Sequence, residues 1–139
     1  MKTVNPYLNF NGNTEEAFNF YKSVFGGEFR MLMRNKDAQG MLVPPGQEEK
    51  IMHIALPLKS GEVLMASDNC NDSTFKQGNN FFICIHTDSV EEGEKLFKAL
   101  SAGGDADHPF KKEFWGDWFG SLTDKFGINW MVNYAGNQH

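Results

Sequence analysis

Apolar residues recur along this chain in two rhythms. In TEEAFNFYKSVFGGE, residues 14 to 28, Ala17, Phe18, Tyr21 and Phe25 fall at the three- and four-residue spacing of one helical face. In VEEGEKLFKALSAGG, residues 90 to 104, Gly93, Leu96, Phe97 and Leu100 do the same. Each segment opens on paired glutamates, which suit the positive end of a helix dipole, and closes on two glycines that permit a left-handed stop. Asn13 or Thr14 is placed to cap the first helix, and Ser89 with Glu92 makes a serine-x-x-glutamate capping box for the second. The remaining pattern is short apolar or alternating runs bounded by turn residues, as in strands. VNPYLNF precedes the first helix, and EFRMLMR, IMHIALPL and EVLMASD follow it. NFFICIHT precedes the second, and DADHPF, DWFGSLT and INWMVNY follow it. Ser60-Gly61 and Lys125-Phe126-Gly127 supply the glycine that tight turns need.

The order is therefore β-α-β-β-β, written twice, and the two helical segments align without a gap: Glu15-Glu16 over Glu91-Glu92, Phe20-Tyr21 over Leu96-Phe97, Lys22 over Lys98. This predicts an α+β protein built of two βαβββ modules, 1–68 and 80–135, joined by a polar linker over 69–79 and forming one domain over 1–139.

Composition narrows the function. A chain of 139 residues with 40% hydrophobic and 22% charged residues has the make-up of a globular domain. No apolar run approaches the roughly twenty residues of a membrane helix, and the opening MKTVNPYLNF lacks an apolar stretch of signal-peptide type, so a cytoplasmic protein with no membrane partner is expected. Cys70 and Cys84 are the only cysteines, and two reduced thiols are the expected state. A net charge of -5 opposes a phosphate backbone and makes nucleic acid an unsuitable partner.

PYLNFNGNTEEAFNFYKSVFGGEF, then HIAL with LMASD, then FWGDWFGSLTDKFGINW resembles the PhnB-like branch of the vicinal oxygen chelate superfamily. That superfamily includes glyoxalase I, extradiol dioxygenases, and fosfomycin and bleomycin resistance proteins. The resemblance spans essentially the whole chain. It implies curved mixed sheets around a concave cavity, the glyoxalase/bleomycin resistance-like fold.

In the metal-using members each module supplies one ligand from its first strand and one from its last. Registering the repeat through the helices puts the first-strand positions at Pro6 and Phe82, and registering Gly61 on Gly127 puts the last-strand positions at Met65 and Met131. None suits a hard or borderline divalent ion, and two residues either side of each there is no histidine, aspartate or glutamate. Cys84 is the one soft donor in those windows. The expectation is that no metal or other cofactor is used, although a divalent ion held by other residues is left open.

If these positions still face inward, alternation adds Leu8, Phe10, Val63, Ser67, Cys84, His86, Asn129 and Asn133 to the concave faces, an apolar lining with a few polar groups. Alternatively Phe82, Met65 and Met131 fill the space. Trp115 and Trp118, with Phe119, are placed to cap the cavity or an interface, whereas Trp130 and Tyr134 pack under a helix. His53, near Asp68 in the pattern, is a candidate base or ligand, or else a hydrogen-bonded structural residue. His108, before Pro109, and the terminal His139 read as solvated, and Asp124 as a turn-shaping residue. The long connection over 35–49 reads as a functional lid or a disordered stretch; the resemblance implies a loop that reaches toward the other subunit of a homodimer, with Met41, Leu42 and Val43 near the interface.

The resulting reading is a metal-free, dimeric protein that holds an unidentified small organic molecule, as bleomycin resistance proteins do. An enzyme using His53 and Asp68, or a non-standard divalent site, is the alternative. A methyltransferase label attached to this branch finds no support in a glycine-rich strand-to-helix loop.

Overall fold

The computed structural model describes residues 1–38, 40, 42–69 and 74–136. Met41, Cys70 and His139 lie outside the described residues. The chain divides into two compact units, Met1–Lys76 and Gln77–His139. The first contains β1 (Tyr7–Phe10), α1 (Thr14–Phe25), β2 (Met31–Arg34), β3 (Ile51–Pro57) and β4 (Val63–Asp68), with one 3-10 turn over Asn35–Asp37. The second contains β5 (Ile83–His86), α2 (Val90–Ser101), β6 (Asp105–Lys112), β7 (Trp118–Thr123) and β8 (Asn129–Tyr134). Both helices and all eight strands fall on the segments named from the pattern.

The first unit is a four-stranded sheet in the order β1-β4-β3-β2, with β1 parallel to β4 and the other neighbours antiparallel. One face of the sheet carries Leu8, Phe10, Ile54, Leu56, Leu64 and Ala66, all buried. The apolar stripe of α1 packs here: Ala17, Phe18 and Tyr21 are fully buried, and the Phe18 ring meets Phe10 edge-on at 6.4 Å. Burying one such aromatic side chain stabilises by about 1.5–3 kcal/mol.

The ladder between β2 and β3 slips at Met33/Arg34, leaving Met52 as an extra residue in β3. This bulge turns Ile51 over to the helix side, where it is 1% exposed, rather than keeping it on the His53 face as simple alternation expects.

The α1 cap also differs from expectation. Asn13 makes no side-chain cap bond. Instead Asp68, at the end of β4, accepts the Thr14 N–H at 3.0 Å and the Thr14 hydroxyl at 2.8 Å on Oδ1, and the Ile51 N–H at 2.8 Å on Oδ2. One carboxylate thus ties the helix N-terminus to two strands of the sheet beneath it.

The second unit repeats the plan in the order β5-β8-β7-β6, with β5 parallel to β8. Its core holds Trp130, Val132, Leu122, Leu100 and Phe97. Here the helix is capped locally: Ser89 accepts the Glu92 N–H at 3.1 Å, and the Glu92 carboxylate accepts the Asp88 N–H at 2.9 Å. Gly93 is required by packing, since a Cβ there would lie 2.4 Å from the Phe110 ring. Asp124, buried where Asp68 is only partly so, is its counterpart as an anchor, accepting the N–H groups of Phe126 at 2.8 Å and Ile128 at 3.0 Å and the Trp130 indole N–H at 2.9 Å. Trp130, 1% exposed, is therefore core with its polar atom satisfied.

Candidate functional site

The sheet face opposite the helix is where each unit gathers its polar and polarisable side chains. In the first unit the register places Tyr7, Met65, Ala55 and Met31 in one row across the strands. Asn9, Ser67, His53 and Met33 share this face by alternation. The Tyr7 hydroxyl and His53 Nδ1 are 3.1 Å apart, and the Ser67 hydroxyl donates to Asn9 Oδ1 at 3.2 Å.

In the second unit one row runs Cys84, Met131, Ser121, His108 and the next His86, Asn133, Phe119, Lys111. Cys84 Sγ and His86 Nε2 approach to 3.7 Å. Burial pushes the Cys84 thiol above its ordinary pKa, favouring the protonated form. Asn129, on the same face, accepts from Thr123 at 2.8 Å. At the β6 end His108 Nε2 meets Glu113 Oε1, and its ring lies 5.5 Å from that of Phe119.

The residues expected to line a cavity are distributed over the two sheets, each described within its own unit. Met65 and Ser67 lie on the first face, and Cys84, His86, Asn129 and Met131 on the second. Leu8 and Phe10 do not join them: β1 is one residue out of step with the helix-based registration, so Tyr7 pairs with Met65 and Leu8 and Phe10 turn into the core. Phe82 precedes β5 and is 40% exposed. Trp115 occupies the β6–β7 connection, edge-on to Phe114 at 4.9 Å. Trp118 lies on the helix side of its sheet against Phe110 at 5.7 Å, while its neighbour Phe119 takes the open face. His53 and Asp68 are not brought together either. Asp68 is committed to Thr14 and Ile51 on the helix side, and His53 to Tyr7 on the other, so the dyad imagined for them does not form.

Two groupings escaped the sequence. One is the His108–Glu113 pair, since His108 read as solvated and Glu113 carried no signal of its own. The other is a charged recess of about 300 Å³ at the start of α1, lined by Gly12, Glu15, Arg34, Glu49, Lys50, Ile51 and Asp68. There Arg34 grips Glu15 with two bonds, at 2.9 and 2.8 Å, and Lys50 donates to the Gly12 carbonyl at 2.9 Å.

The Arg34 hydrogen bonds hold the Glu15 carboxyl below its usual pKa. A depressed carboxylate adds stability that is present above its unfolded pKa and is lost as pH falls through the folded value. Arg34→Met should therefore flatten the fall in urea midpoint below about pH 4.5. Because Glu15 is nearly half exposed, the change at neutral pH should stay under about 1 kcal/mol. An unaltered acid limb would show that the pair contributes nothing.

The layout of two four-stranded mixed sheets, each with one helix, defines a glyoxalase/bleomycin resistance-like protein, and solved structures bear this out. Protein PA1353 from Pseudomonas aeruginosa superimposes with a TM-score of 0.87 at 37% identity, covering 99% of this chain and 100% of that one. The PhnB protein from Bacillus cereus gives 0.80 at 27% identity, over 96% and 100%. The fosfomycin resistance protein FosX from Listeria monocytogenes shares the fold at 0.65 with 10% identity, over 96% of this chain and 93% of that one. Protein YjdN of Escherichia coli is 27% identical over 97% of both chains. The chain belongs to the PhnB-like family described as 3-demethylubiquinone-9 3-methyltransferase, whose family model matches residues 2–133. No helix among the described residues is long and apolar enough to cross a membrane.

Proposed function

We propose that this protein binds a small organic molecule on its open sheet faces, without the superfamily's divalent ion or another cofactor, and does so as a cytoplasmic homodimer. The observation that carries the reading is the donor set where first and last strands meet: Tyr7 beside Met65, and Cys84 beside Met131. A phenol, two thioethers and a protonated thiol do not fit a hard or borderline divalent ion, and among the described residues no three of histidine, cysteine, aspartate and glutamate are grouped to hold one. The same side chains suit an organic ligand, with polarisable sulfur and aromatic surface for contact and Asn9, Ser67, Asn129 and Asn133 for orientation.

The family description does not by itself carry methyl transfer to this chain. The strand-to-helix connections are Asn11-Gly12-Asn13 and Thr87-Asp88-Ser89, neither of them a glycine-rich cradle for a nucleotide-like cofactor. Association is supported by exposed apolar residues, Leu42 at 97% and Phe114 at 96% among them.

The test is a melting-temperature series: protein stripped with a chelator, then with excess nickel, zinc, manganese or iron(II), then with a panel of organic molecules. A ligand of the folded state must raise the midpoint by mass action. A saturable rise with organic molecules alone is expected, and a saturable rise with one divalent ion would overturn the reading. Sedimentation of the purified chain decides the dimer.

A further inference from the structure

We propose that His108 and Glu113 form a general-base dyad: His108 takes a proton from a small organic molecule lying against Phe119 and Ser121, and Glu113 is its positioning residue. The inference rests on the reading that this sheet face receives such a molecule, and adds a chemical step to it.

Glu113 is held on both sides. Its N–H donates to the Asp117 carbonyl at 2.7 Å, its carbonyl accepts the Gly116 N–H at 3.0 Å, and its side chain is only 12% exposed. A carboxylate withdrawn from water this far needs a firm partner, and His108 Nε2 supplies it. His108 is in turn aimed by its strand. The β6–β7 ladder slips on both sides of it, between Asp105 and His108 and between His108 and Lys111, while His108 itself pairs with Ser121. Ladder irregularities of this kind redirect a side chain. Pro109, which cannot donate to a ladder, is tolerated because β6 is an edge strand.

The ring that results is 41% exposed and no other described group hydrogen-bonds it. With the hydrogen held on Nε2 by the carboxylate, the lone pair is on Nδ1, the arrangement a general base requires. In the step, a C–H or O–H bond of the ligand breaks, its proton goes to Nδ1, and the electron pair stays on the ligand. The imidazolium so formed faces the Glu113 carboxylate. No oxidant or reductant is consumed.

A neutral probe tests this without the natural ligand. In 5-nitrobenzisoxazole, a base removes the ring C–H proton, that electron pair completes a nitrile, the ring N–O bond breaks with its electrons going to oxygen, and the ring opens to a single coloured cyanonitrophenolate. The intact chain should give a second-order rate constant on the order of 100-fold above free imidazole at the same pH. His108→Gln should abolish the excess. Glu113→Gln should cut it about tenfold and Glu113→Asp should restore part, since the carboxylate orients the base. Nitrogen NMR of His108 should place the hydrogen on Nε2 in the parent and show a tautomer mixture in Glu113→Gln, and the parallel loss of rate with partial rescue in Glu113→Asp is the readout that a merely structural pair would not move.

A parent rate no higher than imidazole, or one that survives His108→Gln, overturns the proposal. Because the parent rate and tautomer need no variant, they decide the matter even if a substitution unfolds the unit. Failure here leaves the binding reading to the melting series, which fails only if no organic molecule shifts the midpoint.

Discussion

Asp68→Ala should lower stability by about 3 kcal/mol, a loss on the scale of truncating a core side chain. Three donors converge on this carboxylate, from the Thr14 amide, the Thr14 hydroxyl and the Ile51 amide. Thr14 is fully buried, so its hydroxyl and amide lose their acceptor where the protein offers no other, and water entering from the recess that Asp68 lines replaces it only in part. A helix cap alone contributes about 1 kcal/mol, and charge-assisted bonds about 1.5–3 each, with the sum reduced because the three share one group. Urea unfolding followed by far-ultraviolet circular dichroism measures the loss. Thr14→Val, which removes only the hydroxyl arm, should cost about a third as much. A midpoint for Asp68→Ala indistinguishable from the parent would mean that the helix start is held by something else.

Asp124→Ala should be comparable or worse in the second unit, at about 4 kcal/mol, because it removes the acceptor of an indole that is itself core. Asp124 is 3% exposed, and it closes the β7–β8 turn through the Phe126 and Ile128 amides as well as holding Trp130. All three tryptophans lie in this unit, so their fluorescence reports its unfolding selectively. Asp124→Asn keeps a single carbonyl oxygen and should recover no more than about half of the loss. Should Trp130 emission and the unfolding midpoint both stay unchanged in Asp124→Ala, the anchoring role is wrong.

The two carboxylates show where sequence reading succeeds and where it stops. Asp124 was legible because its donors are two and four residues away, inside one turn. Asp68 was not, because its donor Thr14 is 54 residues distant and only the parallel pairing of β1 with β4 brings them together. The faces of the sheets show the same division. Alternation correctly grouped Cys84, His86, Met131 and Asn133, since nothing interrupts β5 or β8. It misplaced Leu8 and Phe10 because registration was carried from the helices, and the step from strand to helix differs by one residue between the halves: inward Phe10 precedes α1 by four positions, inward Ile85 precedes α2 by five. Simple alternation fails at Ile51 for a related reason, since a bulge at Met52 leaves no signature in residue type. His108 and Glu113 were separable from ordinary surface residues only by the irregular ladder that aims one and the turn that fixes the other.

Pairing the first strand of each unit with its last has a consequence for how the chain is made. Neither sheet can close its parallel ladder until the end of its own segment is available, and neither borrows a strand from the other. Synthesis runs from the N-terminus, so the first unit's ladder can complete as soon as Asp68 has left the ribosome, while the second unit is still being translated. Until then α1 carries Phe18 and Tyr21 without the sheet that covers them, which makes the interval between Phe25 and Val63 a stretch of translation open to aggregation, as the shorter one between Ser101 and Asn129 is for α2.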